Sequence, residues 1–256
     1  MKIVIIGSGN VATHLAGALH DRGNQILQVF SRTYMNATAL AESVEAEPID
    51  TLSRISETAD LYLFSIKDDA LASVVHKMPP TKGIWVHTAG SIPMDVFSAH
   101  AKEFGVLYPL QTFSRDRKVD FNEIPLFIEA SSKSTLHILD TVAKSLSGTV
   151  YHLPGQKRSL LHLAAVFACN FTNHMYKLAE EIIGEEDISF DVLKPLITET
   201  ARKVMEMNPA DAQTGPAVRY DEEVMQKHVD RLNTSQLKEI YQLLSKSIHT
   251  HATRVT

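Results

Sequence analysis

The segment that most restricts the fold is the first twelve residues. Ile3 to Ile6 form an apolar run, and Gly7, Gly9 and Ala12 follow it as G-x-G-x-x-A. Behind the turn, Val11, Leu15, Ala18 and Leu19 recur at helical spacing. A strand feeding a glycine turn and then a helix is the context in which this signature binds a dinucleotide. Gly7 permits the tight turn, Gly9 carries no Cβ to obstruct a pyrophosphate, and Ala12 lets the helix lie close to the sheet. The helix start offers N–H groups without intrahelical partners and a partial positive charge. Gly7, Ser8, Gly9, Asn10 and Val11 are therefore the expected pyrophosphate contacts. The competing reading is an ordinary strand-to-helix turn.

The second strand, Gln25 to Phe30, ends about 20 residues beyond Gly9, where an NAD site needs an acid for the ribose 2′-hydroxyl. The chain has Ser31-Arg32-Thr33 there, and no Asp or Glu between Gln25 and Leu40. A guanidinium grips a 2′-phosphate bidentately, with the hydroxyls as further donors. NADP(H) is the expected cofactor, held by Ser31, Arg32 and Thr33. The plainer reading of Arg32 is a solvated loop residue.

Strand patterns at 2–6, 25–31, 61–66, 84–88, 105–108, 126–130 and 149–153, with a shorter one near 47–49, alternate with helical patterns. The helices fall at 11–21, 34–44, 69–76, 94–101 and 133–147. This predicts an α/β fold with a doubly wound, mainly parallel sheet. After Pro154-Gly155 the pattern becomes purely helical, over 157–184, 190–207, 222–232 and 235–252. Asp221 and Thr234 are expected N-caps, and Pro195 sits in a first turn or kinks its helix. The expected division is a dinucleotide-binding domain over 1–154 and a smaller all-α domain over 155–256. Residues 157–184 are apolar on most faces, which predicts central burial and a core completed by a partner chain, a homodimer.

Net charge is −5 without any Lys/Arg block, so a nucleic-acid partner has no electrostatic support. The N-terminal apolar run is too short for a signal peptide or membrane span, and the cytoplasm is the expected compartment. The single cysteine, Cys169, reads as a core residue. Twelve histidines show no metal-ligand spacing, so no metal is expected.

Ligands of such sheets lie beyond the strands' carboxyl ends. Ser65 and Lys67 end one strand, His87 and Ser91 another, and Tyr108 to Ser114, with Gln111, follow a third. Ser65, Lys67 and His87 are expected at the cofactor, and Ser91 and Gln111 at the substrate. His87 also reads as a satisfied strand-end histidine, Asp68 as a helix N-cap, and Lys67 as merely solvated. In the helical half, His162, Val166 and Asn170 are spaced i, i+4, i+8, along one helix line. Such polar residues on a greasy helix need partners, supplied by a cleft or by a backbone carbonyl. Thr214-Gly215-Pro216 through Asp221 reads as an irregular ligand loop. Its Arg219 would pair with a substrate carboxylate, or alternatively with Asp221 or a helix end.

These stretches carry a resemblance. GSGNVA at 7–12, SR at 31–32, DDA at 68–70 and HTAGS at 87–91 come first. They continue with YPLQTFS at 108–114, HLAAVFACN at 162–170 and TGPAVRYD at 214–221. The chain is similar end to end to a family of Rossmann-like bacterial proteins with a C-terminal helical domain of unknown function. Those are relatives of pyrroline-5-carboxylate reductase, ketopantoate reductase and the 6-phosphogluconate dehydrogenase-like enzymes. Two positions depart from the family pattern: Tyr108, where the family more often has His, and Tyr220, where it more often has Gly. The resemblance implies an NADP-dependent oxidoreductase with a dimerising helical domain, and no particular substrate.

The expected activity is hydride transfer to or from a small, anionic C=O or C=N substrate. His162 would act as general acid, since imidazole is the side chain suited to proton transfer near neutrality. Asn170 would orient the substrate, Arg219 would neutralise it, and Thr214 and Gly215 would line its pocket. The rival is a non-catalytic NADP(H)-binding sensor or scaffold, which would need no proton donor beside the nicotinamide.

Overall fold

The computed structural model describes residues 1–253. It forms two compact units, Met1–Cys169 and a second beginning at Asn170. The first is built on one eight-stranded sheet. Its strands are β1 (Lys2–Ile6), β2 (Gln25–Phe30), β3 (Glu47–Ile49), β4 (Leu61–Phe64), β5 (Ile84–His87), β6 (Phe104–Pro109), β7 (Leu126–Ala130) and β8 (Val150–His152). Their order is β3-β2-β1-β4-β5-β6-β7-β8, and all pairs are parallel except β6 with β7. The chain winds outward from β1 to β3, then returns to lay β4 on the other side of β1. That reversal opens a crevice beyond the carboxyl ends of β1 and β4.

The period-two pattern sorts the core into two layers. Ile3, Ile5, Leu61, Leu63 and Val86 pack with α1 (Asn10–Asp21), α2 (Tyr34–Ser43) and α4 (Lys133–Leu146). Val4, Ile6, Tyr62, Phe64 and Trp85 pack on the opposite face with α3 (Asp68–Lys77). Each such side chain contributes about 1.5–3 kcal/mol by leaving water. The expected helix over 94–101 is only a 3₁₀ turn, Met94–Phe97. Phe97 is fully buried, with its ring 5.0 Å from Phe64 and 5.8 Å from Trp85, whereas residues 98–100 are exposed. One aromatic anchor holds one turn.

The predicted helix over 157–184 forms as α5 (Gly155–Ala165), a π-helical stretch Val166–Phe171, and α6 (Thr172–Gly184). Two expectations fail here. The helix is not centrally buried: Leu160, Leu163 and Phe167 are each more than half exposed, and Cys169 is exposed rather than in the core. The single chain has too little surface to cover an all-round apolar helix. The π stretch also breaks the i, i+4, i+8 line from His162 to Asn170, because its wider turns need more than four residues.

The second unit continues through α7 (Lys194–Glu206), α8 (Pro209–Ala212), α9 (Pro216–Arg219), α10 (Glu222–Arg231) and α11 (Ser235–Ala252). Pro195 lies in the first turn of α7, and Asp221 and Thr234 cap α10 and α11 by accepting from the N–H groups of Val224 and Leu237. Residues 214–221 are more ordered than a ligand loop. Gly215 at φ +111° admits the short α9, and Tyr220 ends it at φ +54°, its ring 4.3 Å from that of His249. No helix among the described residues is long and apolar enough to cross a membrane.

Candidate functional site

The first unit's crevice is a cavity of about 730 Å³ running along the carboxyl edge of the sheet. At one end is the glycine turn. Gly7 has φ +122°, its N–H donates to the Phe30 carbonyl at 2.8 Å, and a Cβ there would meet the Ser65 carbonyl oxygen at 2.1 Å. Only glycine fits between β1 and β4 at this point. Gly9 begins α1 with no side chain capping it, and a Cβ on it would extend into empty space. The first-turn N–H groups are thus left open toward the space a pyrophosphate needs, so these residues fit a dinucleotide. Ser8 donates to the Ser31 hydroxyl at 2.9 Å, tying this turn to the end of β2. Asn10 donates to the Phe113 carbonyl at 2.8 Å, fastening the loop after β6 across the start of α1.

Gly7, Ser8, Gly9, Asn10, Val11, Ser31, Arg32, Ser65, Lys67, Gln111 and His162 all line this cavity. Arg32 and Lys67 also line a neighbouring cavity with Thr51, Ser53 and Lys77, and with Asp50 and Asp69. Arg32 and Lys67 therefore lie where the two cavities meet. Thr33 does not line the cavity; it precedes α2, and Asn36 takes the place expected of it. Ser91 is likewise set back and donates its hydroxyl to Asp68. Asp68 is not the N-cap of α3 but its first residue, accepting that bond at the cavity wall.

His87 does not reach the cavity either. It is fully buried at the end of β5, and Thr88, Ala89 and Gly90 form the wall in front of it. Its Nδ1 accepts from the Ala89 N–H at 3.2 Å, shaping that turn. Burial, and secondarily the Arg158 charge, lower its pKa to about 3, so it stays neutral. Asn170, Thr214, Gly215 and Arg219 belong to the second unit, where Asn170 and Arg219 are exposed.

Three residues to which the sequence pattern assigned no role complete the far end. Tyr108, at the end of β6, is nearly buried, and its hydroxyl lies 3.0 Å from His162 Nδ1, the rings edge to face. Burial raises its pKa, opposed by Arg158 and assisted by Asp68, which keeps the phenol neutral. A Cβ on Gly90 would strike the His162 ring at 2.7 Å, so the wall holds the imidazole on this side as well. One turn before His162, Arg158 is 1% exposed. It pairs with Glu129 on β7 at 2.5 Å and donates to the Ile92 carbonyl at 2.6 Å. An arginine one turn ahead of a histidine at the start of an apolar helix was the available signal.

A dinucleotide turn at one end of a cavity and a hydrogen-bonded imidazole at the other define a nicotinamide-dependent oxidoreductase framework. Two family models match: "NADP oxidoreductase coenzyme F420-dependent" over residues 2–86, and "Domain of unknown function (DUF2520)" over 124–248. Among solved structures, a Bacteroides fragilis protein assigned as an NADP oxidoreductase is 50% identical. That match spans 97% of this chain and 98% of the other, with a TM-score of 0.91. Protein TM1727 of Thermotoga maritima is 19% identical over 98% of this chain and 99% of that one, at 0.80. The 1-pyrroline-5-carboxylate reductase of Streptococcus pyogenes is 14% identical over 98% of each, at 0.65, and shares the fold. No curated protein matches the chain. The chain belongs to the family of the Bacteroides fragilis NADP oxidoreductase: a Rossmann-type oxidoreductase whose cofactor is NADP.

Proposed function

We propose that the protein transfers a hydride between NADP(H) and the C=O or C=N carbon of a small anionic substrate. The observation that carries this reading is the single cavity joining the Gly7–Val11 turn to His162. It offers a dinucleotide site and a titratable side chain in one space, which a mere sensor would not need. NADPH, when bound, supplies the hydride; the chain binds, orients and handles the proton. Ser31 and Arg32 hold the 2′-phosphate, and His162 gives the proton to the substrate heteroatom. Gln111 borders the substrate from the sheet side. Asn170, Thr214, Gly215 and Arg219 are the candidate substrate residues of the second unit, with Arg219 suited to neutralising a carboxylate.

The functional division is then a cofactor domain over 1–154 and a helical substrate and dimerisation domain over 155–256. The exposed Leu160, Leu163 and Leu196 support association with a second copy, and a cytoplasmic setting suits NADPH chemistry. The test is a screen of oxo and imino acids for NADPH oxidation, followed by His162→Gln on the best substrate. Turnover should fall by about 10²–10⁴-fold with NADPH affinity unchanged. Full turnover in the variant would remove His162 from the reaction.

A further inference from the structure

We infer that Tyr108 is the positioning residue of the site: its hydroxyl donates to His162 Nδ1, fixing the tautomer that carries its proton on Nε2. The inference rests on the reading above that His162 is the proton donor.

The geometry is that of an oriented imidazole. A neutral histidine presents one N–H and one lone pair, and the bond made by one nitrogen decides which the other presents. Nδ1 has the Tyr108 hydroxyl at 3.0 Å. A neutral phenol is a good donor, and this one is nearly buried between the His162 and Phe127 rings. The imidazole has little freedom to leave it, because Gly90 packs against the ring atoms and a methyl group there would already collide. The helix is fixed as well: Arg158, on the same face one turn earlier, is clamped by Glu129 and the Ile92 carbonyl. Sheet, wall and helix together set the pair.

The charged and titratable groups around the pair are few. Arg158 and Asp68 act on the Tyr108 hydroxyl with opposite signs, and His87 stays neutral behind the wall. When bound, NADPH would supply a hydride to the carbon of the substrate's C=X bond. The X atom takes the Nε2 proton as the π bond opens. Nδ1 then takes the Tyr108 proton, so the imidazole ends neutral and the negative charge rests on the phenol oxygen, in the field of Arg158. The Nδ1 proton returns to the phenol oxygen as a solvent proton is taken up at Nε2, which restores the starting tautomer.

The test needs neither cofactor nor substrate. Protein labelled with ¹⁵N-histidine, at a pH where His162 is neutral, reports its tautomer by long-range ¹H–¹⁵N NMR, with His162→Gln assigning the signal. The wild type should show one tautomer, Nε2–H, with Nδ1 accepting a hydrogen bond. Tyr108→Phe keeps the ring and should give a tautomer mixture with the Nδ1 signal of a free acceptor. A wild-type Nδ1–H tautomer, or identical signals in the two proteins, would overturn the inference. Unchanged NADPH affinity and a retained thermal transition establish that Tyr108→Phe is folded. If it is not, the tautomer of the wild type alone decides. With an active substrate, Tyr108→Phe should lower kcat about tenfold or more at constant KM, and unchanged kcat would count against the relay. A wild-type Nε2–H tautomer that Tyr108→Phe loses, together with full activity in His162→Gln, would keep the pair and sink only the catalytic reading.

Discussion

The two units solve the burial problem differently. In the first, β1, β4 and β5 are almost completely removed from water, and helices cover both faces of the sheet. In the second, only Ala217 and Val229 are buried among the described residues, while Leu196 and Leu243 are largely exposed. A parallel sheet closes its own core because every crossover returns a helix to its face. Amphipathic helices with wide apolar faces have no such guarantee, and their uncovered stripe calls for another surface. The first unit should therefore owe its stability to its own contacts, and the second to association.

Breaking Arg158 is the harshest test of the self-contained unit. Arg158→Ala strands the Glu129 carboxylate and should cost about 3–5 kcal/mol in chemical denaturation. The double change Arg158→Met, Glu129→Leu should recover much of that, because no unpaired charge is left. A loss below about 1 kcal/mol for the single variant, the size of a surface pair, would mean that the clamp is not holding α5.

His87 tests the same core by titration. Its folded pKa of about 3 lies below the unfolded value, so the unfolded chain binds the extra proton first. The stability it confers is complete above pH 6.5 and declines as pH falls toward 3, by roughly 1.4 kcal/mol per pH unit. His87→Leu should flatten that part of the stability–pH curve. An unchanged slope would show that other groups dominate acid unfolding.

The smallest effect on folding, and the sharpest contrast, is expected from Leu196→Ser combined with Leu243→Ser. Both side chains are more than half exposed, so the stability of the isolated chain should change by no more than about 0.5 kcal/mol. Sedimentation equilibrium should nevertheless shift from dimer toward monomer at micromolar concentration. The same mass for wild type and variant at every dilution would erase the distinction between the units.

Much of the first unit was legible because its signals are local. Alternating or continuous apolar runs specify strands, Gly7 and Gly9 specify a turn, and Ser31 and Arg32, which follow β2, line the cavity. The caps Asp221 and Thr234 were legible for the same reason, since a side chain bonding three residues ahead is written in the order of the residues. The sequence also singled out His162, as a polar residue on a greasy helix.

What it left open depends on pairings between distant residues. Nothing local relates Tyr108 to His162, 54 positions away, or Arg158 to Glu129 and the Ile92 carbonyl. Only the stacking of strand ends against α5 brings them together. His87 looked like a contact because it ends a strand, yet a single residue of turn decides whether the side chain or the following backbone meets the cavity. The π-helical turn at 166–171 likewise altered a face that simple helical spacing had drawn straight. Periodicity determines which residues share a strand or a helix; the distances at which a proton moves are decided by the packing of those elements on one another.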